Sequence, residues 1–279
     1  MIPFDFEYYK PSSIGDAVKL FVELDSQGKE PVYYSGGTEI IALAVANKFH
    51  TGAVIDIKGI PECNLLEFRN DRLEIGAGLT LNRIIEANLF PLLTALMQSA
   101  VDHTLRNQIT LGGNICSQTP YREGVLPFLL ADSWVVIAGQ NGTNTIPVNE
   151  VFLEKLRLEK GEFLVQISTE RLYTQLPFFS LKRTKYQCSG YPLLTTAAVK
   201  KDLEIRVAFS GLCDYPFRSL KMEEEFNRTD LTPADRIGRA MDSLPAPPAN
   251  NIHGSSEYRE FLFRKTLEDL LEKFEGAAL

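Results

Sequence analysis

The sequence predicts an α+β chain in two parts: residues 1–176, where short strands alternate with helices, and residues 177–279, a smaller part of antiparallel sheet plus helices. Three observations predict it. Runs rich in β-branched and aromatic residues alternate with helical apolar spacings as far as Pro177. Beyond Pro177, three closely spaced apolar runs read as antiparallel strands, and from Ser219 onward only helical spacing remains. The chain has 279 residues, 44% of them hydrophobic. That suits one large or two ordinary domains, at roughly 100–200 residues each.

Each element has a local reason. Ser13 to Leu24 carries helical spacing at Ile14, Ala17, Val18, Phe21 and Leu24, with Ser13 as N-cap and Asp16 in the acidic first turn. Val32-Tyr33-Tyr34 is a β-rich run ended by Ser35-Gly36-Gly37, and Thr38 to Asn47 reads as an apolar helix. Val54 to Ile57 is a strand, and Arg72 to Ala77 alternates polar and apolar as a half-buried strand does. Helices follow at Leu81 to Asn88 and Pro91 to Val101, then Ile109 to Cys116 with a second Gly-Gly, then a helix at Val125 to Leu130. Val135 to Ala138 and Thr145 to Val148 flank the hairpin signal Asn141-Gly142, and Phe163 to Ile167 is the last strand of this half. In the second part Phe178 to Lys182, Leu193 to Val199 and Leu203 to Phe209 read as strands. Ser219 to Phe226, Pro233 to Asp242 and Ser256 to Glu275 read as helices, with a Pro-rich loop before the last.

Composition excludes several function classes. Lys and Arg number 29 against 36 Asp and Glu, a net charge of −7, and no basic run occurs, so nucleic acid is not an expected partner. Met1 to Glu7 lacks the basic and apolar regions of a signal peptide, and no stretch approaches the length of a membrane span; a cytoplasmic location without membrane contact is the expectation. Cys63, Cys116, Cys188 and Cys213 lie far apart, as do His50, His103 and His253, so no metal site is expected and the cysteines read as reduced packing thiols. Trp134, ahead of an apolar strand, reads as core, and Glu223-Glu224-Glu225 as a solvated helix face.

Two segments can carry chemistry. Tyr34-Ser35-Gly36-Gly37-Thr38-Glu39 follows a strand and opens a helix. Its glycines leave backbone N–H groups unobstructed, and the helix start adds a positive potential suited to a pyrophosphate. Thr110-Leu111-Gly112-Gly113-Asn114-Ile115-Cys116-Ser117 repeats the device with short polar side chains. Each alone is equally a plain tight turn. Neither is a G-x-G-x-x-G, and no acidic residue sits at the spacing of a ribose ligand, which disfavours a Rossmann site. No catalytic constellation is present.

Ser35-Gly36-Gly37-Thr38-Glu39 resembles the first FAD loop of the medium, flavin-binding subunit of molybdenum hydroxylases, the xanthine dehydrogenase and carbon monoxide dehydrogenase family. Leu73 to Leu81 (LEIGAGLTL) resembles its L-x-I-G-A-x-x-T segment, Arg106 to Asn114 (RNQITLGGN) its second loop R-N-x-x-T-x-G-G-N, and Gly254 to Arg259 (GSSEYR) the opening of its last helix. The four match in order over nearly the whole chain. The resemblance implies the two-subdomain FAD-binding fold of the vanillyl-alcohol oxidase type, with subdomains at about 1–57 and 58–176. It also implies the family's C-terminal domain over 177–279.

The resemblance also implies roles. Val32, Tyr33, Tyr34, Ser35, Gly36, Gly37, Thr38 and Glu39 would wrap the FAD diphosphate, and Thr110, Gly113, Asn114 and Ser117 would serve the second loop. Glu123 would lie near the ribityl chain, Leu164 would be an apolar flavin contact and Lys182 a basic residue near the ring. Apart from the resemblance, Arg106 reads equally as a structural residue that holds the second loop through backbone carbonyls, and Lys182 as a solvated charge beside a strand. The expected partners are a molybdopterin-binding large subunit and a [2Fe–2S] small subunit, with NAD+ or another acceptor taking the electrons. Two departures stand out: Pro120 to Gly124 is one residue longer than the family pattern, and Lys185 to Pro192 replaces the usual R-R-x-x-D-x-A. Two other readings stay open, a self-sufficient flavin reductase of the same fold, such as an enolpyruvyl reductase, and an assembly subunit without flavin.

Overall fold

The structure is a computed structural model that describes residues 2–185 and 191–276. Along the chain run β1 (Glu7–Tyr9), α1 (Ile14–Ser26), β2 (Val32–Tyr34), α2 (Thr38–Val45), β3 (Ala53–Asp56), β4 (Leu66–Arg69), β5 (Arg72–Gly76), α3 (Leu81–Ala87), α4 (Pro91–Ala100), α5 (His103–Arg106), α6 (Leu111–Ile115) and α7 (Leu126–Leu130). Then come β6 (Trp134–Gly139), β7 (Gly142–Pro147), α8 (Val148–Val151), β8 (Phe163–Glu170), β9 (Phe178–Thr184), β10 (Pro192–Lys201), β11 (Glu204–Ser210), β12 (Phe217–Arg218), α9 (Leu220–Phe226), α10 (Pro233–Asp242) and α11 (Ser256–Glu275). They gather into two compact units, one of Met1–Leu89, Asp102–Ser117 and Asp132–Arg171, the other of Phe90–Val101, Gln118–Ala131 and Leu172–Leu279. The mixture of helices and sheets is the α+β class that the sequence predicts.

The first unit holds two sheets. A parallel sheet runs in the order β1-β3-β2, and an antiparallel one in the order β4-β5-β8-β6-β7. α1 starts where predicted: the Ser13 hydroxyl accepts the Asp16 N–H at 3.1 Å, satisfying one of the orphan donors of the first turn. Its buried residues Ala17, Phe21 and Leu24 fall on one face and pack with Ile55, Ile57 and Phe163. β8 is central in its sheet and buried along most of its length, whereas β5 alternates as its sequence does. Trp134, expected in the core, is instead 38% exposed; it opens β6 on the outward side of the pleat, while its neighbour Val135 takes the inward one.

The second unit is a four-stranded antiparallel sheet, order β12-β11-β10-β9, with helices on both faces. Ile205, Val207 and Phe209 of β11 point into a core with Phe226, Ile237, Phe263 and Leu267 from α9, α10 and α11. Arg206 points to the other face, where it donates to the Leu130 carbonyl at 2.9 Å; Arg218 donates to Leu129 at 2.8 Å. Two guanidinium groups thus satisfy the last carbonyls of α7, the end of a helix where cations are favoured. Glu223, expected on a solvated face, is 6% exposed. It pairs with Arg218 at 2.8 Å and accepts the Val207 N–H at 2.8 Å, because the first turn of α9 lies against β11.

Arg259 of α11 is fully buried. It donates to the carbonyls of Leu193 and Gly211 and, at 2.9 Å, to Asn251 Oδ1. These bonds tie the start of β10 and the end of β11 to the last helix. Arg259→Leu keeps bulk but strands both carbonyls, and it should lower stability by about 2–4 kcal/mol. Urea denaturation of the full chain measures this, and a midpoint indistinguishable from wild type would show that the network is dispensable.

Candidate functional site

The first glycine loop is built at the end of β2. Val32, Tyr33 and Tyr34 pair with Val54, Ile55 and Asp56 of β3. Tyr33 turns into the core: its ring stacks on Phe21 at 5.0 Å, packs against Phe163 at 4.5 Å, and its hydroxyl donates to the Gly161 carbonyl. Burial pushes its phenol well above the ordinary tyrosine range. Gly37 caps α2 at φ 71°, a left-handed conformation that side-chain-bearing residues rarely adopt, and a Cβ there would run into the Tyr34 ring. Thr38 and Glu39 form the first turn of α2.

Gly36 is where the two loops meet. A Cβ at Gly36 would overlap the Gln108 carbonyl and lie 3.1 Å from the Thr110 backbone nitrogen. The first loop therefore packs backbone to backbone on the start of the second. There the Thr110 hydroxyl, 1% exposed as a residue, accepts the Gly113 N–H at 3.2 Å, and Asn114 N–H bonds to the Thr110 carbonyl at 2.9 Å. Gly113 and Cys116 are exposed, and Asn114 and Ser117 half-buried. The expectation that Cys116 is a packing residue is not met, since α6 turns it outward; Cys63 and Cys213 are buried, which pushes both thiols up to about 12, and Cys188 lies outside the described residues.

The segment Leu73 to Leu81 supports the second loop. Ala77 and Leu79 carbonyls accept the N–H groups of Gly112 and Leu111 at 2.9 Å, Leu81 N–H bonds to Ile109 at 3.0 Å, and Thr80 bridges to Thr110. Asn82 then holds the loop's approach: its amide donates to the His103 carbonyl at 3.0 Å and to Asn107 Oδ1 at 2.7 Å, and its oxygen accepts from Arg106 Nε at 3.1 Å. Arg106 Nε thus acts on the loop's approach through the Asn82 side chain. Sequence reading singled out neither Asn82 nor Gln108. The only signal was that Asn82 follows a recognised segment and Gln108 lies inside one.

The loop pair suits an anionic ligand. The Ser35 hydroxyl is buried with no hydrogen-bond partner. No backbone acceptor among the described residues takes the N–H of Gly36 or Gly37. Uncommitted donors at the start of a helix are a ready site for phosphate oxygens.

The other three predicted residues lie elsewhere. Leu164 is buried in β8, 3% exposed and paired with Ile137. In the second unit, Lys182 of β9 donates to the Ser99 and Ala100 carbonyls at 2.9 Å, capping α4, and stands 3.3 Å from Glu123 Oε1. Both side chains of this ion pair are more than nine-tenths buried, so Lys182 is no solvated strand charge. Tyr186 to Gly190, within the segment that departs from the family pattern, lie outside the described residues.

Burial raises the Glu123 carboxyl above its ordinary pKa, and the Lys182 charge opposes that rise. In Lys182→Met the opposition is gone. The folded state then binds the Glu123 proton more tightly than the unfolded state, so stability falls as pH rises past the carboxylate range and recovers as it drops. The variant should lose about 3 kcal/mol at pH near 7.5 and clearly less near pH 5. Denaturation at the two pH values tests it; a loss independent of pH would show that Glu123 does not feel Lys182.

Comparison with known proteins identifies the family. Residues 4–169 match the family described as FAD binding domain in molybdopterin dehydrogenase. The carbon monoxide dehydrogenase medium chain of Hydrogenophaga pseudoflava is 30% identical over 272 residues, 93% of each chain. The xanthine dehydrogenase FAD-binding subunit of Escherichia coli O157:H7 is 28% identical over 170 residues, 58% of this chain and 57% of that one. In fold, the carbon monoxide dehydrogenase structure from Hydrogenophaga pseudoflava superposes with a TM-score of 0.85 over 100% of both chains at 24% identity. The chain belongs to the FAD-binding domain family of molybdopterin dehydrogenases and is an FAD-binding oxidoreductase subunit of the molybdenum hydroxylase type.

Proposed function

We propose that the two glycine loops hold the diphosphate end of FAD. The observation that carries this reading is the backbone contact at Gly36, which sets a buried, unpartnered Ser35 hydroxyl and uncommitted N–H groups beside the start of α2. Val32, Tyr33 and Tyr34 position the first loop from the sheet, with Tyr33 acting from the core side. Ser35, Gly36, Gly37, Thr38 and Glu39 line its turn, and Thr110, Gly113, Asn114 and Ser117 serve from the second loop. Leu164 in the first unit is assigned an apolar flavin contact, and Glu123 and Lys182 in the second unit act as an ion pair on the ribityl and ring side. Bound FAD supplies redox chemistry that couples one-electron donors to two-electron acceptors, so the chain itself needs no acid, base or nucleophile.

The partners follow in the same reading. Relatives named as a medium chain and a FAD-binding subunit support a place beside a molybdopterin-binding large subunit and a [2Fe–2S] small subunit. NAD+ or another soluble acceptor is the proposed electron outlet, and the cytoplasm the proposed setting. No helix among the described residues is long and apolar enough to cross a membrane. Substrate oxidation belongs to the large subunit.

Two experiments test this. Gly37→Val places a Cβ against the Tyr34 ring at a left-handed φ. It should abolish flavin occupancy while lowering stability by no more than about 2 kcal/mol; a variant that keeps its full flavin content would show the first loop to be misassigned. The purified subunit, given hypoxanthine or an aldehyde with an electron-accepting dye, should show no turnover. Turnover there would make the chain a complete enzyme.

A further inference from the structure

Lys58 belongs to neither glycine loop, yet its ammonium is bonded into the first. Its Nζ donates to the Ser35 carbonyl at 2.7 Å, stands 2.9 Å from Asp56 Oδ1 and sits 4.7 Å from the centre of the Tyr34 ring. Asp56, at the end of β3, is 2% exposed. Its Oδ1 also accepts the Lys58 backbone N–H at 2.9 Å, and its Oδ2 accepts the Tyr8 hydroxyl of β1 at 2.5 Å. Burial raises the Asp56 carboxyl's pKa, but the bonds from Tyr8 and Lys58 more than offset this and leave it below the ordinary value; the same bond pushes the Tyr8 phenol up to about 12. Asp56 is therefore an anion and Tyr8 a neutral donor. Together they anchor Lys58 across all three strands of the parallel sheet.

We propose that Lys58 is the positioning residue of the first loop, fixing the Ser35–Gly36 peptide for a diphosphate by holding the Ser35 carbonyl. This rests on the reading that the loop binds FAD. The peptide bonds are trans, so the carbonyl and the N–H of one peptide plane point in opposite directions. With the Ser35 carbonyl on Lys58, the Gly36 N–H faces away from Lys58. The charge of Lys58 is balanced by Asp56 beside it, so orientation, not net attraction, is what it contributes. Any long cationic side chain that bonds both partners meets the same need, and an apolar one does not.

The test uses flavin-free full-length wild type, Lys58→Met and Lys58→Arg, titrated with FAD by quenching of flavin fluorescence, with ADP and riboflavin as competitors. For Lys58→Met the Kd for FAD and the inhibition constant for ADP should both rise about 10- to 100-fold, the scale of a hydrogen bond to a charged group. Riboflavin, which has no phosphate, should compete as in wild type, and Lys58→Arg should stay within about threefold of wild type. If Lys58→Met binds FAD as tightly as wild type, the positioning role is overturned while FAD binding stands. Equal weakening for riboflavin would reduce Lys58 to a general support of the fold and also overturn the role. If wild type itself binds no FAD, the reading of the loops falls, and this inference with it.

Discussion

The pairing of the two glycine loops depends on one close approach, Gly36 against the backbone of Gln108 and Thr110. Two loops from different parts of the chain can share a ligand only if nothing stands between them. Glycine provides that space, but only if the second loop is held still. The edge from Ala77 to Leu81 does so through main-chain bonds to Ile109, Leu111 and Gly112, and Asn82 holds the approach from His103 to Asn107. Precision passes from sheet to edge, from edge to second loop, and from second loop to first. The glycines are the visible part of this arrangement; what holds them is a set of main-chain bonds from Ala77, Leu79 and Leu81 and the side chain of Asn82, whose role nothing in the sequence announces.

That explains what could be read in advance. α1, α10 and α11 carry caps and apolar stripes in their own residues, and their observed limits agree with the pattern within a residue or two. The glycine loops were legible because glycine is informative exactly where other residues are excluded. β1 and β4 were not legible: three or four residues of mixed polarity become strands only by pairing, β1 with β3 far along the chain and β4 with β5 across a tight turn. Trp134 and Glu223 misled for a related reason. Residue type gives a preference for burial, but the side of the pleat or the nearness of an arginine decides it. Lys58 was invisible because a lysine near a sheet is ordinary until its carbonyl partner is known.

Buried charge follows a consistent rule in this chain. Asp56 with Lys58, Glu123 with Lys182, and Glu223 with Arg218 are each paired, and each pair also bonds a backbone group. A buried ion pair adds little net stability over an apolar one, but its geometry is unforgiving. These pairs sit where a strand or helix must end at a set point: the foot of the first loop, the end of α4, the junction of α9 with β11. They act as registers more than as glue. Arg259 departs from the pattern, using carbonyls and an amide as acceptors in place of a carboxylate.

The second unit takes α4 and α7 from stretches that lie, along the chain, among segments of the first. Both helices are strongly apolar on their packed side, through Leu92, Leu93, Leu96 and Met97 in one and Leu126, Phe128, Leu129 and Leu130 in the other. The sheet that covers them is made only from Phe178 onward. On a ribosome adding about 5–20 residues per second, these helices emerge well before their partners and wait several seconds uncovered. During synthesis the nascent chain therefore exposes sticky surface at its middle, and it is there that a chaperone would have to hold it until β9, β10 and β11 arrive.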